Sequence, residues 1–137
     1  MIVLDASIWV ARLLPADVNH LSCKEWLAEQ VGAGKMLVSP ELLLPELAGA
    51  VSRSTGNPSL AKQLLEAVVR IPELRLMKMQ TELTTIAARL AADEGLRGAD
   101  ALYVACAYQL GAPFFTLDMD QHERASHAVN SSLLVKQ

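Results

Sequence analysis

Short runs of apolar residues alternate along the chain with longer stretches whose apolar residues recur at helical spacing. The runs predict five buried strands, at residues 1–4, 36–39, 74–79, 114–117 and 132–135. Strands separated by helices are typical of βαβ crossovers. We therefore predict an α/β fold with a mainly parallel sheet, in a single domain that spans residues 1–137.

The intervening stretches predict seven helices, at residues 7–14, 17–31, 40–54, 58–71, 81–95, 99–110 and 121–127. Ser7 is the expected cap of the first helix, and Asn57 that of the fourth. Pro45 lies inside the third segment, where proline is tolerated only in a first turn. We therefore expect a kink or a new helix start at Pro45, which places Glu46 near a helix N-terminus.

The composition changes this picture little. The chain is 52% apolar and carries a net charge of −3, so no basic surface for nucleic acid is indicated. Bound divalent cations would offset that charge, so a polyanionic substrate is not excluded. Cys23 and Cys106 belong to no metal or redox motif and are expected to be buried thiols in a reducing compartment. No signal peptide or membrane span is predicted, and we expect a cytoplasmic protein.

Four carboxylates occupy positions that such a fold would bring together. Asp5 and Asp118 follow the first and fourth strands, while Glu46 and Asp100 lie in the first turns of helices. Sites in open α/β sheets form outside the carboxyl ends of the strands. Converging acids repel one another, and a hard divalent cation relieves that repulsion. A metal site is therefore the leading hypothesis, although each acid alone would also suit a cap, a turn or a solvated helix start.

Other site chemistries match the sequence less well. The sequence contains no GxSxG elbow, no GxGxxG after the first strand and no phosphate-binding GxxxxGK[ST] loop. The three histidines lack the spacing of a helical zinc pair. Asp5 could instead be a phosphorylated nucleophile, but the second aspartate expected two residues later is replaced by Ser7.

The acids stand in four short blocks whose order is informative. The blocks are Leu4-Asp5-Ala6-Ser7, Pro45-Glu46-Leu47, Leu96-Arg97-Gly98-Ala99-Asp100-Ala101-Leu102 and Thr116-Leu117-Asp118. Together they resemble the signature blocks of a PIN domain, and in order and length those of the VapC-type toxin ribonucleases. The resemblance covers essentially the whole chain.

This resemblance implies a metal-dependent endoribonuclease with Mg²⁺ or Mn²⁺ as cofactor. Asp5 and Asp100 would be direct ligands, and Glu46 would bind directly or through water. Asp118 would complete the cluster, but Met119-Asp120 follows where relatives often carry a basic residue, so Asp120 could share or take this role. The number of metal ions, one or two, remains open.

Four further side chains are secondary candidates. Ser7 could position a carboxylate or water, and Thr116 could hold a water, with simple strand packing the preferred role for Thr116. Arg97 and Arg124 flank the acid blocks and could contact phosphate, with an exposed surface role preferred for each.

The resemblance also implies partners: an RNA substrate, an antitoxin protein and a second copy of the chain in a homodimer. Trp9, Trp26 and the apolar residues of 60–69 are candidates for those contacts. The alternative is a non-catalytic PIN-like or receiver-like module that binds a partner.

Overall fold

The computed structural model describes residues 1–134, in which five strands form one sheet and seven helices surround it. The strands are β1 Ile2–Leu4, β2 Leu37–Pro40, β3 Leu74–Met77, β4 Phe114–Thr116 and β5 Ser131–Leu133. The helices are α1 Ala6–Leu13, α2 His20–Gly32, α3 Leu43–Thr55, α4 Pro58–Val69, α5 Thr81–Glu94, α6 Gly98–Leu110 and α7 Met119–Ala125. The predicted α/β class is confirmed.

The order of the strands creates one crevice at the carboxyl edge of the sheet. The order is β3-β2-β1-β4-β5, and every neighbouring pair is parallel. The chain therefore builds outward from β1 to β3 and then returns to the other side of β1 for β4. Such a reversal opens a crevice between the two central strands. Leu4 lies opposite Phe115, and the amide of Asp5 donates to the Phe115 carbonyl at 3.0 Å.

The core is built on β1 and α6. All of β1 is buried, and α6 packs against β1 and β2 through small buried residues such as Ala101 and Ala105. Small side chains let the helix approach the sheet closely, which fixes the position of its first turn. Trp9 is 1% exposed, and its indole donates to Ser39. Trp9 is therefore part of the monomer core and not of an exposed interface.

Two helix starts differ from the sequence-based expectation. Asp5, and not Ser7, caps α1, because its carboxylate accepts from the Ser7 amide at 3.0 Å. Helix α3 begins at Leu43 and holds Pro45 in its first turn, so the preceding residues 40–42 lie outside the helix. No amide of the first turn needs a partner within the helix, so proline is accommodated there. Glu46 therefore does lie near a helix N-terminus.

The remaining features of the fold are the start of helix α4, the last strand and the two cysteines. Helix α4 begins as expected, with the Asn57 side chain accepting from the Leu60 amide at 3.0 Å. The last strand starts at Ser131, one residue early, and Val135 lies outside the described residues. Cys23 and Cys106 are buried free thiols, and burial raises their pKa values to about 11 and about 12. Within residues 1–134, no helix has the length and apolar character to cross a membrane.

Candidate active site

Asp5 is the most enclosed acid of the carboxyl-edge crevice, with 6% of its surface exposed. Its Oδ2 accepts from the Ser7 amide at 3.0 Å and lies 3.3 Å from the Thr116 hydroxyl. Its Oδ1 accepts from the side-chain amide of Gln121 at 3.1 Å. A buried carboxylate needs such partners, and these hold both oxygens in a fixed orientation.

A buried polar network links β1, β4 and α7 behind this carboxylate. The Thr116 hydroxyl donates to Gln121 Oε1 at 2.7 Å and accepts from the Asp118 amide at 3.0 Å. The Ser7 hydroxyl accepts from the Leu117 amide at 3.1 Å and lies 3.4 Å from that of Thr116. Simple strand packing is therefore the wrong description of Thr116, and Ser7 joins the network instead of capping α1.

Glu46 reaches the crevice from the first turn of α3. The hydroxyl of Tyr103 donates to its Oε1 at 2.5 Å. Burial raises the pKa of Glu46, the hydrogen bond from Tyr103 lowers it, and the charges of Asp5 and Asp100 raise it further. The carboxyl is therefore within electrostatic reach of both aspartates.

Asp100 enters from the first turn of α6, with 24% of its side chain exposed. Burial and then the charge of Asp5 raise its pKa, while Arg97 lowers it by hydrogen bond and charge; Asp118 adds a smaller increase. Like charges shift a pKa in this way only at short range. Asp5 and Asp118 therefore each lie within electrostatic range of Asp100, and Asp5 and Asp100 lie within that range of Glu46.

Asp118 and Asp120 differ clearly in their surroundings. Asp118 caps α7 by accepting from the Gln121 amide at 3.1 Å, and 37% of its side chain is exposed. Asp120 is 72% exposed, and its carboxylate accepts from Arg124 Nε at 3.0 and 3.1 Å. Asp118 thus lies within electrostatic range of Asp100, whereas Asp120 is paired on the surface of α7.

Two arginines pair with acids at this edge of the sheet. Arg97 Nε lies 3.2 Å from Asp100 Oδ2, and its Nη2 lies 4.0 Å from Asp118 Oδ2. Arg124 binds Asp120 and also donates to the Glu94 carbonyl at 3.3 Å. A Cβ on Gly95, whose φ is +67°, would lie 2.6 Å from Arg124 Nη1, so glycine is required for this approach. Arg124 therefore joins α7 to the end of α5.

Tyr103 and Gln121 are site residues that the sequence-based reasoning missed. Gln121 is 1% exposed, binds Asp5 and Thr116, and lies 3.5 Å from the Asp100 carbonyl. Its position three residues after the cap Asp118 matches a capping box, and that signal could have found it. Tyr103 contacts Glu46 across 57 residues of sequence, for which no local signal exists.

The donor set determines which cation this crevice could hold. Within residues 1–134, no three His, Cys, Asp or Glu side chains are grouped tightly enough to bind a metal ion directly. The acids are nevertheless close enough to raise the pKa values of Glu46 and Asp100. Carboxylate oxygens suit hard cations, and Mg²⁺ keeps several waters of its own. The residues therefore fit a hard divalent cation that binds partly through water.

Comparisons with known proteins agree with this architecture. The profile of a family described as "PIN domain" matches residues 2–127. The fold is similar to that of VapC20 from Mycobacterium tuberculosis, a toxin described as cleaving the sarcin-ricin loop, with a TM-score of 0.77 and 20% identity over 95% of this chain and 98% of that one. The comparison with FitAcB from Neisseria gonorrhoeae gives a TM-score of 0.72 and 21% identity over 98% of both chains. The comparison with VapBC2 from Rickettsia felis, bound to promoter DNA, gives a TM-score of 0.66 and 18% identity over 95% of this chain and 96% of that one. No curated relative matches significantly.

Proposed function

Because the chain belongs to the PIN-domain family, we propose that it is a metal-dependent endoribonuclease that hydrolyses RNA phosphodiester bonds. The proposal rests on the electrostatic coupling among Asp5, Glu46, Asp100 and Asp118 at the crevice between β1 and β4. The mutual effects on pKa support their proximity, and the oxygen donors suit Mg²⁺ or Mn²⁺.

Each acid is assigned a role from its surroundings. Asp5 and Asp100 would bind the cation directly, and Asp118 would complete the set through a bound water. Asp120 is left out because Arg124 already holds its carboxylate. When bound, the cation polarises the scissile phosphate and lowers the pKa of a bound water.

Glu46 is assigned the proton transfer. Its Oε1 is held by the hydroxyl of Tyr103, which leaves Oε2 free to accept the proton that the attacking water loses. Burial raises the pKa of Glu46 above its usual value, which makes its carboxylate a stronger base. Gln121 and Thr116 keep Asp5 oriented throughout and do not exchange protons with the substrate.

We extend the proposal to the toxin of a type II toxin–antitoxin pair, acting in the cytoplasm. The similar folds include the toxin VapC20, FitAcB, and VapBC2 bound to promoter DNA. A cleft of about 640 Å³ lies between α1, α2 and α4, and a second of about 560 Å³ shares Leu13 and Leu64 with it. An amphipathic helix of an antitoxin would bury its apolar side in such a groove.

A homodimer is the second association that we propose. Tyr108 and Leu110 near the end of α6 are 56% and 38% exposed. Burial of these side chains against a second copy would remove apolar surface from water. Sedimentation at micromolar protein concentration should give the mass of a dimer, and a strict monomer would contradict this part of the proposal.

The competing function is a partner-binding module without catalysis. Two observations favour it: the ion pair between Arg97 and Asp100, and the lack of a compact three-ligand cluster in residues 1–134. A module would bind its partner with all four acids replaced, whereas a nuclease would lose its activity.

The test of the function is cleavage of a mixed RNA pool by the purified full chain. Cleavage should require Mg²⁺ or Mn²⁺, stop with chelator and be lost in Asp5→Asn. Asp93→Asn removes an exposed acid of α5 and is the matched control. Co-expression with the product of the adjacent gene should suppress cleavage in a toxin. An active nuclease that this product leaves unaffected would contradict the toxin assignment alone.

A further inference from the structure

Arg97 lies at the mouth of the acid crevice and bridges two of its acids. Its Nε is 3.2 Å from Asp100 and its Nη2 is 4.0 Å from Asp118. These acids belong to different elements, the first turn of α6 and the cap of α7. The guanidinium is therefore a cation placed between two carboxylates that the proposed function assigns to the metal.

The side chain of Arg97 is held by these acids and by little else. It is 81% exposed, and in residues 1–134 its only hydrogen-bond partner is Asp100. Its backbone is extended just before α6, and a Cβ on the following Gly98 would meet no heavy atom within 4 Å. Arg124 differs, because two bonds to Asp120 and one to the Glu94 carbonyl hold it. Arg97 can therefore turn outward without a change in the fold.

Charge and geometry indicate what Arg97 does when it turns. A divalent cation at Asp100 repels the guanidinium and competes for the same oxygen. A released guanidinium at the edge of an RNA site matches the planar geometry of phosphate and binds it with two parallel hydrogen bonds. The attraction that holds Arg97 in the metal-free protein is thus replaced by an attraction to substrate.

We propose that Arg97 is a substrate-binding residue that exchanges partners. It binds Asp100 and Asp118 in the metal-free protein and binds an RNA phosphate once the cation occupies the acids. This inference rests on the proposed function, since it requires that RNA and metal share this crevice. The sequence had favoured an exposed surface role for Arg97, and the proposed exchange replaces that role.

The exchange predicts opposite effects of one substitution on two ligands. Arg97→Gln removes the competitor of the metal, so the Kd for Mn²⁺ alone, measured by calorimetry, should fall by about twofold to fivefold, the scale of an exposed ion pair. The same substitution removes one phosphate contact. Binding of a labelled single-stranded RNA should weaken, and the slope of log K against log salt should decrease by about 0.7.

The RNA measurement is made with Mn²⁺ in the Glu46→Gln background, which removes the proposed general base so that the probe stays intact and keeps the proposed metal ligands Asp5 and Asp100. Arg97→Lys should keep the salt slope while it binds the RNA more weakly, because lysine retains the charge but loses the paired geometry. Arg89→Gln removes an exposed arginine of α5 and controls for net charge. It should change neither measurement by a comparable amount.

Three results for Arg97→Gln would overturn the exchange. The affinities for Mn²⁺ and RNA could both stay unchanged, Mn²⁺ binding could weaken, or RNA binding could weaken while the affinity for Mn²⁺ stays the same. The second result would mean that Arg97 organises Asp100 for the metal. Tighter Mn²⁺ with a reduced salt slope supports the exchange. Failure of the wild-type protein to cleave RNA would refute the proposed ribonuclease function. The measurements of Mn²⁺ binding and RNA binding would still decide the role of Arg97.

Discussion

The side-chain amide of Gln121 donates to Oδ1 of Asp5 at 3.1 Å, and both residues are almost fully buried. The two are 116 positions apart in sequence, so the contact joins the start of α7 to the end of β1. The amide has a second role, because its oxygen accepts from Thr116. Gln121 therefore orients an acid of the proposed metal site without being a ligand itself.

The first prediction concerns the stability that this contact provides. Gln121→Leu fills nearly the same volume but removes the buried hydrogen bond to Oδ1 of Asp5 and the acceptor of the Thr116 hydroxyl. We expect a loss of about 1–3 kcal/mol in the free energy of unfolding. Gln63→Leu, at an exposed position of α4, should change it by less than about 0.5 kcal/mol. Urea unfolding measures both. Equal stability of the wild type and Gln121→Leu would contradict the structural role.

Sequence patterns anticipated the architecture because their signals are local. The apolar runs before Asp5 and Asp118 identify strands, and local patterns place Glu46 and Asp100 in first turns of helices. The sequence alone could therefore place all four acids on their elements. The pairing of Arg97 with Asp100 and the choice between Asp118 and Asp120 depend on side-chain directions within α6 and α7. The contact of Tyr103 with Glu46 depends on how α3 and α6 meet, which no local pattern encodes.

The second prediction follows from the raised pKa of Glu46. Its ordinary value is 4.5, and burial raises it in the folded protein. The folded state therefore binds the proton more tightly than the unfolded chain, so metal-free protein loses stability as the pH rises from 4.5 through the raised value. Glu46→Gln removes this loss and should be more stable than the wild type at neutral pH in chelator.

Glu82→Gln is the matched control for this measurement, because Glu82 also lies in the first turn of a helix but is exposed. Thermal unfolding at a series of pH values should show a flatter dependence for Glu46→Gln only. If both variants keep the wild-type dependence, the carboxyl of Glu46 is not destabilised by its surroundings.

The third prediction separates the roles of two tyrosines in α6. Tyr103→Phe removes the hydroxyl that lowers the pKa of Glu46, so this pKa should rise further. The acidic limb of the pH profile for RNA cleavage should then move to higher pH, and the rate at neutral pH should fall. Tyr108→Phe changes an exposed tyrosine of the same helix and should leave the profile in place. An unshifted limb in Tyr103→Phe would exclude Glu46 as the general base.

The fourth prediction concerns metal and stability. The raised pKa values of Glu46 and Asp100 mean that neighbouring acids and burial disfavour their ionised forms. A cation that binds the native state should raise the melting temperature in proportion to the logarithm of its concentration above Kd. Mn²⁺ should raise the melting temperature of the wild type, and it should raise that of the double variant Asp5→Asn, Asp100→Asn much less. A wild-type melting temperature that Mg²⁺, Mn²⁺ and Ca²⁺ all leave unchanged would argue against any cation site.

The most direct test of the central claim is RNA cleavage by Asp100→Asn beside Asp93→Asn, with circular dichroism on the same samples. Asparagine is nearly isosteric with aspartate but is a weak ligand for a hard cation. We predict that Asp100→Asn keeps the wild-type spectrum and loses Mg²⁺-dependent cleavage, while Asp93→Asn keeps both. Cleavage by Asp100→Asn at the wild-type rate would contradict the proposal that these acids form the catalytic metal site.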